Sequence, residues 1–110
     1  MALSIKPYIE NKERIHLIGI GGVSMNSLGE LLLSRGVPIS GSDRLRTDVT
    51  ARLEALGAKI TYEHKPENVE GASLIVRTAA VHDDNPEIVR AHELGIPVME
   101  RAEAWGHLMR

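Results

Sequence analysis

Three segments of this chain share one design, in which a glycine ends a helical stretch and a β-prone run follows at once. They begin at Gly36, Gly57 and Gly95 and read GVPIS, GAKIT and GIPVM. Glycine readily adopts the left-handed conformation that closes a helix, and the residues after it favour strands. A chain that repeats this joint alternates between helices and strands, which favours a parallel sheet with helices on both faces.

The other apolar runs fit this alternation. They predict buried strands near residues 15–19 and 73–77, and the glycine joints add strands near 37–41, 58–62 and 97–99. We therefore predict a single α/β domain with a Rossmann-like, doubly wound parallel sheet of about five strands in the order 3-2-1-4-5. Residues 1–14 are a lead-in without assigned structure, and residues 15–110 form the domain.

Two of the predicted helices begin with clear signals. Thr47 precedes one of them as a cap. The segment Asn85-Pro86-Glu87 combines a cap, a first-turn proline and an acid that favours a helix N-terminus. On this second helix, Ile88, Val89 and His92 are predicted to face the sheet.

Composition narrows the class of protein. The 110 residues are 43% apolar and 25% charged, which is typical of one globular domain. A net charge of −2 without a dense basic run argues against nucleic-acid binding, and the absence of cysteine excludes disulfides and thiolate zinc sites. No apolar run approaches the ~18 residues of a membrane span, and no signal-peptide pattern is present. We therefore expect a cytoplasmic location and no membrane partner.

The segment with chemical meaning is Gly19-Ile20-Gly21-Gly22-Val23-Ser24, between the first strand and the first helix. Gly19 permits a tight turn, Gly21 lets the backbone approach a ligand, and Ser24 takes the position where helix and strand pack closely. Free amides and the helix dipole at this point favour a phosphate. The alternative is a loop whose glycines serve only packing, but packing does not require the additional Gly22.

Two further segments follow strands near this turn. Asp43 lies about 20 residues beyond it, where Rossmann domains carry an acid for ribose hydroxyls. The alternative is a loop residue that caps the next helix. Thr78, Ala79 and Ala80 are small enough for a base or sugar to lie against the backbone. His82-Asp83-Asp84 is conceivable as a metal site, but we favour acids that complement the next helix N-terminus, and we predict no metal.

His64 follows the third strand, where it is placed to bond a base or ribose, although the residues alone favour a solvated loop histidine. The chain contains no HExxH pattern, no nucleophile elbow and no GxxxxGK[ST] loop. The sequence therefore supplies a binding site, and no catalytic residue is predicted.

The same motifs, taken in order, resemble those of the Mur ligases. The similar segments are IHLIGIGGVSM from residue 15, SGSD from 40, LEALGA from 53, DNPEI from 84, GIPV from 95 and RAE from 101. The resemblance extends over residues 15–110. It is strongest to the branch of the family that joins L-alanine to UDP-N-acetylmuramate.

This resemblance implies an N-terminal domain that binds the UDP part of UDP-N-acetylmuramate in a larger enzyme of peptidoglycan synthesis. The central ATPase domain, with ATP and Mg²⁺, and the C-terminal domain would lie outside this fragment, which alone would not be catalytic. The implied diphosphate turn comprises Gly19, Gly21, Gly22, Val23, Ser24 and Met25. The implied uridine contacts are Ser42 and Asp43 at the ribose or base, with His64, Thr78, Ala79 and Ala80 at the uracil end.

Two positions depart from the family pattern. Ser24 stands where a glycine is common, and Gly29 stands where alanine is usual, which a close helix contact would explain. Two other functions remain open. The glycine turn with Asp43 is also the fingerprint of an NAD-binding oxidoreductase domain, and a free-standing nucleotide-binding module would have the same features.

Overall fold

The computed structural model describes residues 3–109 and contains one parallel sheet of five strands in the order β3-β2-β1-β4-β5. The strands are β1 (Ile15–Ile18), β2 (Ile39–Ser42), β3 (Lys59–Thr61), β4 (Leu74–Arg77) and β5 (Val98–Glu100). The predicted Rossmann-like fold and strand order are confirmed, with small shifts at the strand ends.

Helices connect the strands and cover both faces of the sheet. They are α1 (Lys6–Glu10), α2 (Val23–Ser34), α3 (Asp48–Ala55), α4 (Pro86–Leu94) and α5 (Arg101–Leu108), with a 3₁₀ helix at Pro66–Val69 between β3 and β4. The three glycine joints have positive φ angles, at Gly36 (78°), Gly57 (114°) and Gly95 (73°). The predicted left-handed helix endings are therefore present.

Strand β1 buries both of its faces, as a central parallel strand must. Because side chains alternate along a strand, Ile15 and Leu17 pack towards α2 and α5, whereas Ile18 packs towards α4 and the 3₁₀ helix. A Cβ on Gly29 of α2 would lie 3.1 Å from Leu17 Cδ1. This close contact between helix and strand accounts for glycine at that position.

Helix α4 turns a different face to the sheet from the one predicted. Its buried residues are Glu87, Ile88 and Ala91, whereas Val89 is 43% exposed and His92 is exposed. The prediction that Val89 and His92 face the sheet was therefore wrong. Glu87, in the first turn, forms hydrogen bonds on the sheet side of the helix, and this rotation turns Val89 and His92 outward. The predicted cap is confirmed, since Asn85 Oδ1 accepts from the N–H of Glu87 at 2.9 Å.

The described part of the lead-in packs on the domain. Ile5 is fully buried, and its N–H donates to His107 Nδ1 of α5 at 3.4 Å. Tyr8 and Ile9 of α1 also pack against the core. Among residues 3–109, no helix has both the length and the apolar character needed to cross a membrane.

Candidate functional site

The turn between β1 and α2 exposes the start of a helix. Gly19 has a φ angle of 77°, which side-chain-bearing residues rarely adopt, and its carbonyl accepts from the N–H of Gly22 at 3.0 Å. Gly22 is the N-cap of α2, and no side chain in residues 3–109 caps the helix there. The first N–H groups, at Val23, Ser24 and Met25, have no partner within the helix and are available to an anion.

These amides open into a cleft of about 280 Å³ at the carboxyl ends of β1, β4 and β5. Thr78 and Arg101 line this cleft together with Gly19 and the segment Gly22–Met25. Arg101 Nη1 donates to Ser24 Oγ at 2.6 Å, which holds the guanidinium beside the helix start and leaves the serine hydrogen free to donate. The cleft thus combines a cation with the positive end of a helix dipole. Arg101 was not among the predicted site residues.

Asp43 closes the other side of the turn. Its Oδ2 accepts from the N–H of Gly21 at 2.8 Å. A Cβ on Gly21 would lie only 2.8 Å from that oxygen and 3.0 Å from Thr50 Cγ2, so the close approach requires glycine. Gly21 is therefore bonded to Asp43 and is not among the residues that line the cleft. The structure gives Asp43 a role in shaping the turn, and its contact with a ribose stays a prediction.

A second cleft, of about 700 Å³, lies at the same edge of the sheet. It is lined by His64, by Ala80 and by neighbouring loop residues that include Arg44, Val81, His82, Asp84, Asn85 and Pro86. The predicted Thr78–Ala80 segment divides between the two clefts. Thr78 lines the first cleft and Ala80 the second, whereas the exposed Ala79 is in the turn between them and lines neither.

A buried polar cluster, centred on Glu87, joins the strand ends to α4. Glu87 Oε1 is 2.5 Å from His16 Nε2 and accepts from Ser42 Oγ at 2.9 Å. Its Oε2 is 3.3 Å from His64 Nδ1 and accepts from Asn68 Nδ2 at 3.1 Å. Burial acts to raise the pKa of Glu87, but the bonds from His16, Asn68 and Ser42 outweigh it and lower the pKa. The cluster therefore holds a carboxylate.

This cluster changes the reading of two predicted residues. The side chain of His64 is only 17% exposed, so the solvated-loop alternative is wrong. Ser42 is fully buried and bonded to Glu87, and its predicted contact with a ribose or base finds no support in this geometry.

This cluster was not among the predicted features, although the sequences of two strands contained a signal for it. Ser40 and Ser42 lie two positions apart on β2, so their side chains share one face of the sheet. His16 of β1 is paired with Ser40 and lies on the same face. Polar residues on a central strand are buried and need partners, and His16 Nδ1 lies 2.8 Å from Ser40 Oγ. Glu87, the acid in the first turn of α4, is the partner of His16 and Ser42.

Two other parts of the molecule bear on metal and anion binding, namely the His82-Asp83-Asp84 segment and a groove at the opposite end of the sheet. Within residues 3–109, no group of three His, Cys, Asp or Glu side chains is arranged to hold a metal ion. Asp83, from the segment considered for a metal, pairs with Arg77 at 2.5 Å, which lowers the pKa of this aspartate. A larger groove, of about 760 Å³, lies at the opposite end of the strands. Its lining within residues 3–109 includes Glu13 and Gly95, the C-cap of α4, but no lysine or arginine. A carboxylate and the negative end of a helix dipole disfavour an anion there.

Comparison with known proteins identifies the family. The family model described as "Mur ligase family, catalytic domain" matches residues 14–110. The chain belongs to the Mur ligase family. The resemblance drawn from the ordered motifs is therefore confirmed.

Individual Mur ligases match the chain closely. The UDP-N-acetylmuramate–L-alanine ligase of Clostridium novyi (strain NT) is 48% identical over 101 residues, which is 92% of this chain and 22% of the relative. That of Geobacter sp. (strain M21) is 50% identical over 98 residues, or 89% and 21% of the two chains. The crystal structure of UDP-N-acetylmuramate-alanine ligase from Thermotoga maritima matches 88% of this chain and 23% of its own, with a TM-score of 0.84 and 36% identity. The chain spans about a fifth of the length of its curated Mur ligase relatives.

Proposed function

We propose that this domain holds the UDP moiety of UDP-N-acetylmuramate within a UDP-N-acetylmuramate–L-alanine ligase of peptidoglycan synthesis, as its N-terminal part. Relatives of that name at 48% and 50% identity support the choice of enzyme. The observation that carries the binding role is the uncapped start of α2, which faces the same cleft as the guanidinium of Arg101.

The diphosphate sits on the first-turn amides Val23, Ser24 and Met25. Met25 has a buried side chain, so only its backbone contributes. Arg101 offers charged N–H donors to the phosphate oxygens, and the Ser24 hydroxyl, which accepts from Arg101, donates its own hydrogen. The nucleoside then extends along the sheet edge past Thr78 towards the second cleft.

The role of this chain in the ligase is to bind and orient a substrate. Its residues do not fit the ATP and Mg²⁺ that the family resemblance assigns to the parent enzyme. The 110 residues contain no GxxxxGK[ST] loop, and the described residues bring no three metal-ligating side chains together. Activation of the substrate is therefore assigned to other parts of the ligase.

Titration of the chain with UDP, UDP-N-acetylmuramate and NADH tests the proposed ligand. We expect both uridine compounds to shift the amide resonances of Gly22 and Ser24 at lower concentrations than NADH does. A response to NADH at the lowest concentration would favour an oxidoreductase domain and overturn the ligase assignment.

Arg101→Gln tests the proposed geometry. Because hydrogen bonds from charged groups contribute about 1.5–3 kcal/mol, we expect UDP binding to weaken about tenfold or more. The free energy of unfolding should change by less than ~0.5 kcal/mol, since this side chain is not part of the core. Arg52→Gln is the matched control. Arg52 forms a surface ion pair with Glu30, with 2.7 Å between the two charged groups, and it lines neither cleft. Equal affinities in the two variants would remove the guanidinium from the site.

A further inference from the structure

The connection from β4 to α4 is a loop, Thr78–Asn85, that contains two successive turns. The N–H of Val81 donates to the carbonyl of Thr78, and the N–H of Asn85 donates to the carbonyl of His82, each at 3.0 Å. These bonds shape each turn but do not attach the loop to the rest of the domain. A loop with few outside contacts opens readily, so its position depends on whatever holds it.

Arg77, the last residue of β4, attaches both turns to the sheet. It lies two positions after Ile75, on the face of the sheet that packs against α4, and its side chain is only 13% exposed. Its Nη2 donates to the carbonyl of Val81 in the first turn, and its Nη1 donates to the carboxylate of Asp83 in the second turn at 2.5 Å. Because a guanidinium is planar and rigid, the two contacts fix the turns relative to each other as well as to the strand.

Few other contacts could replace those of Arg77. In the described part of the chain, its two bonds are the only hydrogen bonds that join residues 79–84 to a residue outside the loop. Val81 adds a partly buried apolar contact with the cluster between the sheet and α4. The polar attachment of the loop therefore depends on one side chain.

The loop held by Arg77 forms part of the wall of both clefts. Thr78 lines the first cleft, and Ala80, Val81 and His82 are among the residues that line the second, whereas Arg77 lines neither. We propose that Arg77 is a positioning residue for nucleotide binding, whose guanidinium fixes the Thr78–Asn85 loop in the arrangement that lines both clefts. The inference rests on the proposed function and adds to it the side chain that prepares this loop for the ligand.

Holding a loop in its binding arrangement before the ligand arrives raises affinity, because binding no longer has to order it. The apparent dissociation constant equals the intrinsic one divided by the fraction of molecules in the competent arrangement. If loss of Arg77 leaves the loop in this arrangement about one tenth of the time, the dissociation constant for UDP rises about tenfold. A ligand confined to the first cleft meets only Thr78 of the loop, which directly follows β4, and should be affected much less.

Dissociation constants for UDP and for inorganic pyrophosphate test the proposal in Arg77→Met, which keeps an unbranched side chain but removes every donor. We expect binding of UDP to weaken about tenfold and binding of pyrophosphate to change by less than about twofold. Arg90→Met is the matched control, because Arg90 pairs with Glu70 and Glu93 on the surface and lines neither cleft, and it should leave both constants unchanged. Unchanged binding of UDP in Arg77→Met, or equal weakening of both ligands, would overturn the inference and leave the proposed function standing. Failure of the wild-type chain to bind UDP would overturn the proposed function, and this inference with it.

Substitution of Asp83 keeps the test open if Arg77→Met fails to fold, because the side chain of Asp83 is 89% exposed. Asp83→Ala removes one of the two contacts and should weaken UDP binding about threefold, whereas Asp83→Asn keeps an acceptor and should stay within about twofold of the wild type. Amide hydrogen exchange of the free chain gives a readout without any ligand. The amides of Val81 and Asn85 should exchange faster in Asp83→Ala than in Asp83→Asn, while that of Ala91 in α4 stays unchanged. Equal affinities and equal exchange rates in the two Asp83 variants would overturn the inference.

Discussion

The two clefts at the carboxyl edge of the sheet are built from different parts of the chain. The first is lined mainly by one short stretch of chain, by Gly19 and the segment Gly22–Met25 at the start of α2. The second depends on a cluster that joins His16 of β1, Ser42 of β2, His64 after β3 and Glu87 of α4. Local spacing determines the first arrangement, whereas strand register and helix rotation determine the second. A short motif therefore predicts the glycine turn of the first cleft, whereas its Arg101 and the whole of the second cleft are revealed only by the assembled sheet.

The largest expected effect lies in the side-chain cluster. In Glu87→Ala, the buried His16 and Ser42 and the half-buried Asn68 lose their shared acceptor. We expect a loss of about 3–5 kcal/mol in the free energy of unfolding, measured by urea denaturation. Glu93→Ala, at an exposed position on the same helix, should change it by less than ~0.5 kcal/mol. If the two variants were equally stable, the cluster would not depend on this carboxylate.

The backbone-built turn should respond most to a side chain at Gly21. In Gly21→Ala, the new Cβ meets the Asp43 carboxylate, and we expect a cost of about 1–3 kcal/mol in unfolding free energy. A double-mutant cycle with Asp43→Ala makes the comparison sharper. In that background the substitution should cost much less, because the obstructing oxygen is gone. Strict additivity of the two changes would show that the crowding comes from elsewhere, such as Thr50.

Asp43→Ala alone should have a smaller effect on the same turn. Loss of the bond to the Gly21 N–H is expected to cost about 1–2 kcal/mol in unfolding free energy and to weaken UDP binding. Asp43→Asn retains an acceptor and should recover most of the stability. Thermal unfolding and UDP titration of both variants measure the two properties. Weaker binding at unchanged stability would instead favour a direct contact with the ribose.

The fold was predictable because its signals are local. The alternation of helices and strands, and the glycines at 36, 57 and 95, are each determined by neighbouring residues. With right-handed crossovers this alternation favours a doubly wound parallel sheet, and the observed order is one of those that such a sheet adopts. The start of α4 was predicted for the same reason, since Asn85 caps the N–H of a residue two positions away.

The missed residues depend on distant contacts. Arg101 reaches Ser24 across 77 positions of sequence, and Glu87 reaches His16 across 71. The pattern of apolar residues in α4 predicts that Val89 faces the sheet and that Glu87 faces solvent. The helix nevertheless turns Glu87 inward, because hydrogen bonds beneath it offset the cost of burying the charge.

The smallest expected effect is the response of the cluster to acid. The pKa of Glu87 is lowered from an ordinary value of 4.5, so its carboxylate stabilises the folded chain fully above that pH. This contribution is lost as the pH falls through the lowered folded-state value, because the unfolded chain takes up the proton first. Urea denaturation between about pH 7 and pH 3 should therefore show a steeper loss of stability in the wild type than in Glu87→Gln. Asp83→Asn is the control at an exposed carboxyl group, whose pKa is also lowered, by Arg77. This substitution should change the dependence of stability on pH less, because solvent screens the pair of Asp83 and Arg77. Parallel curves for the wild type and Glu87→Gln would mean that this buried group does not change protonation on unfolding.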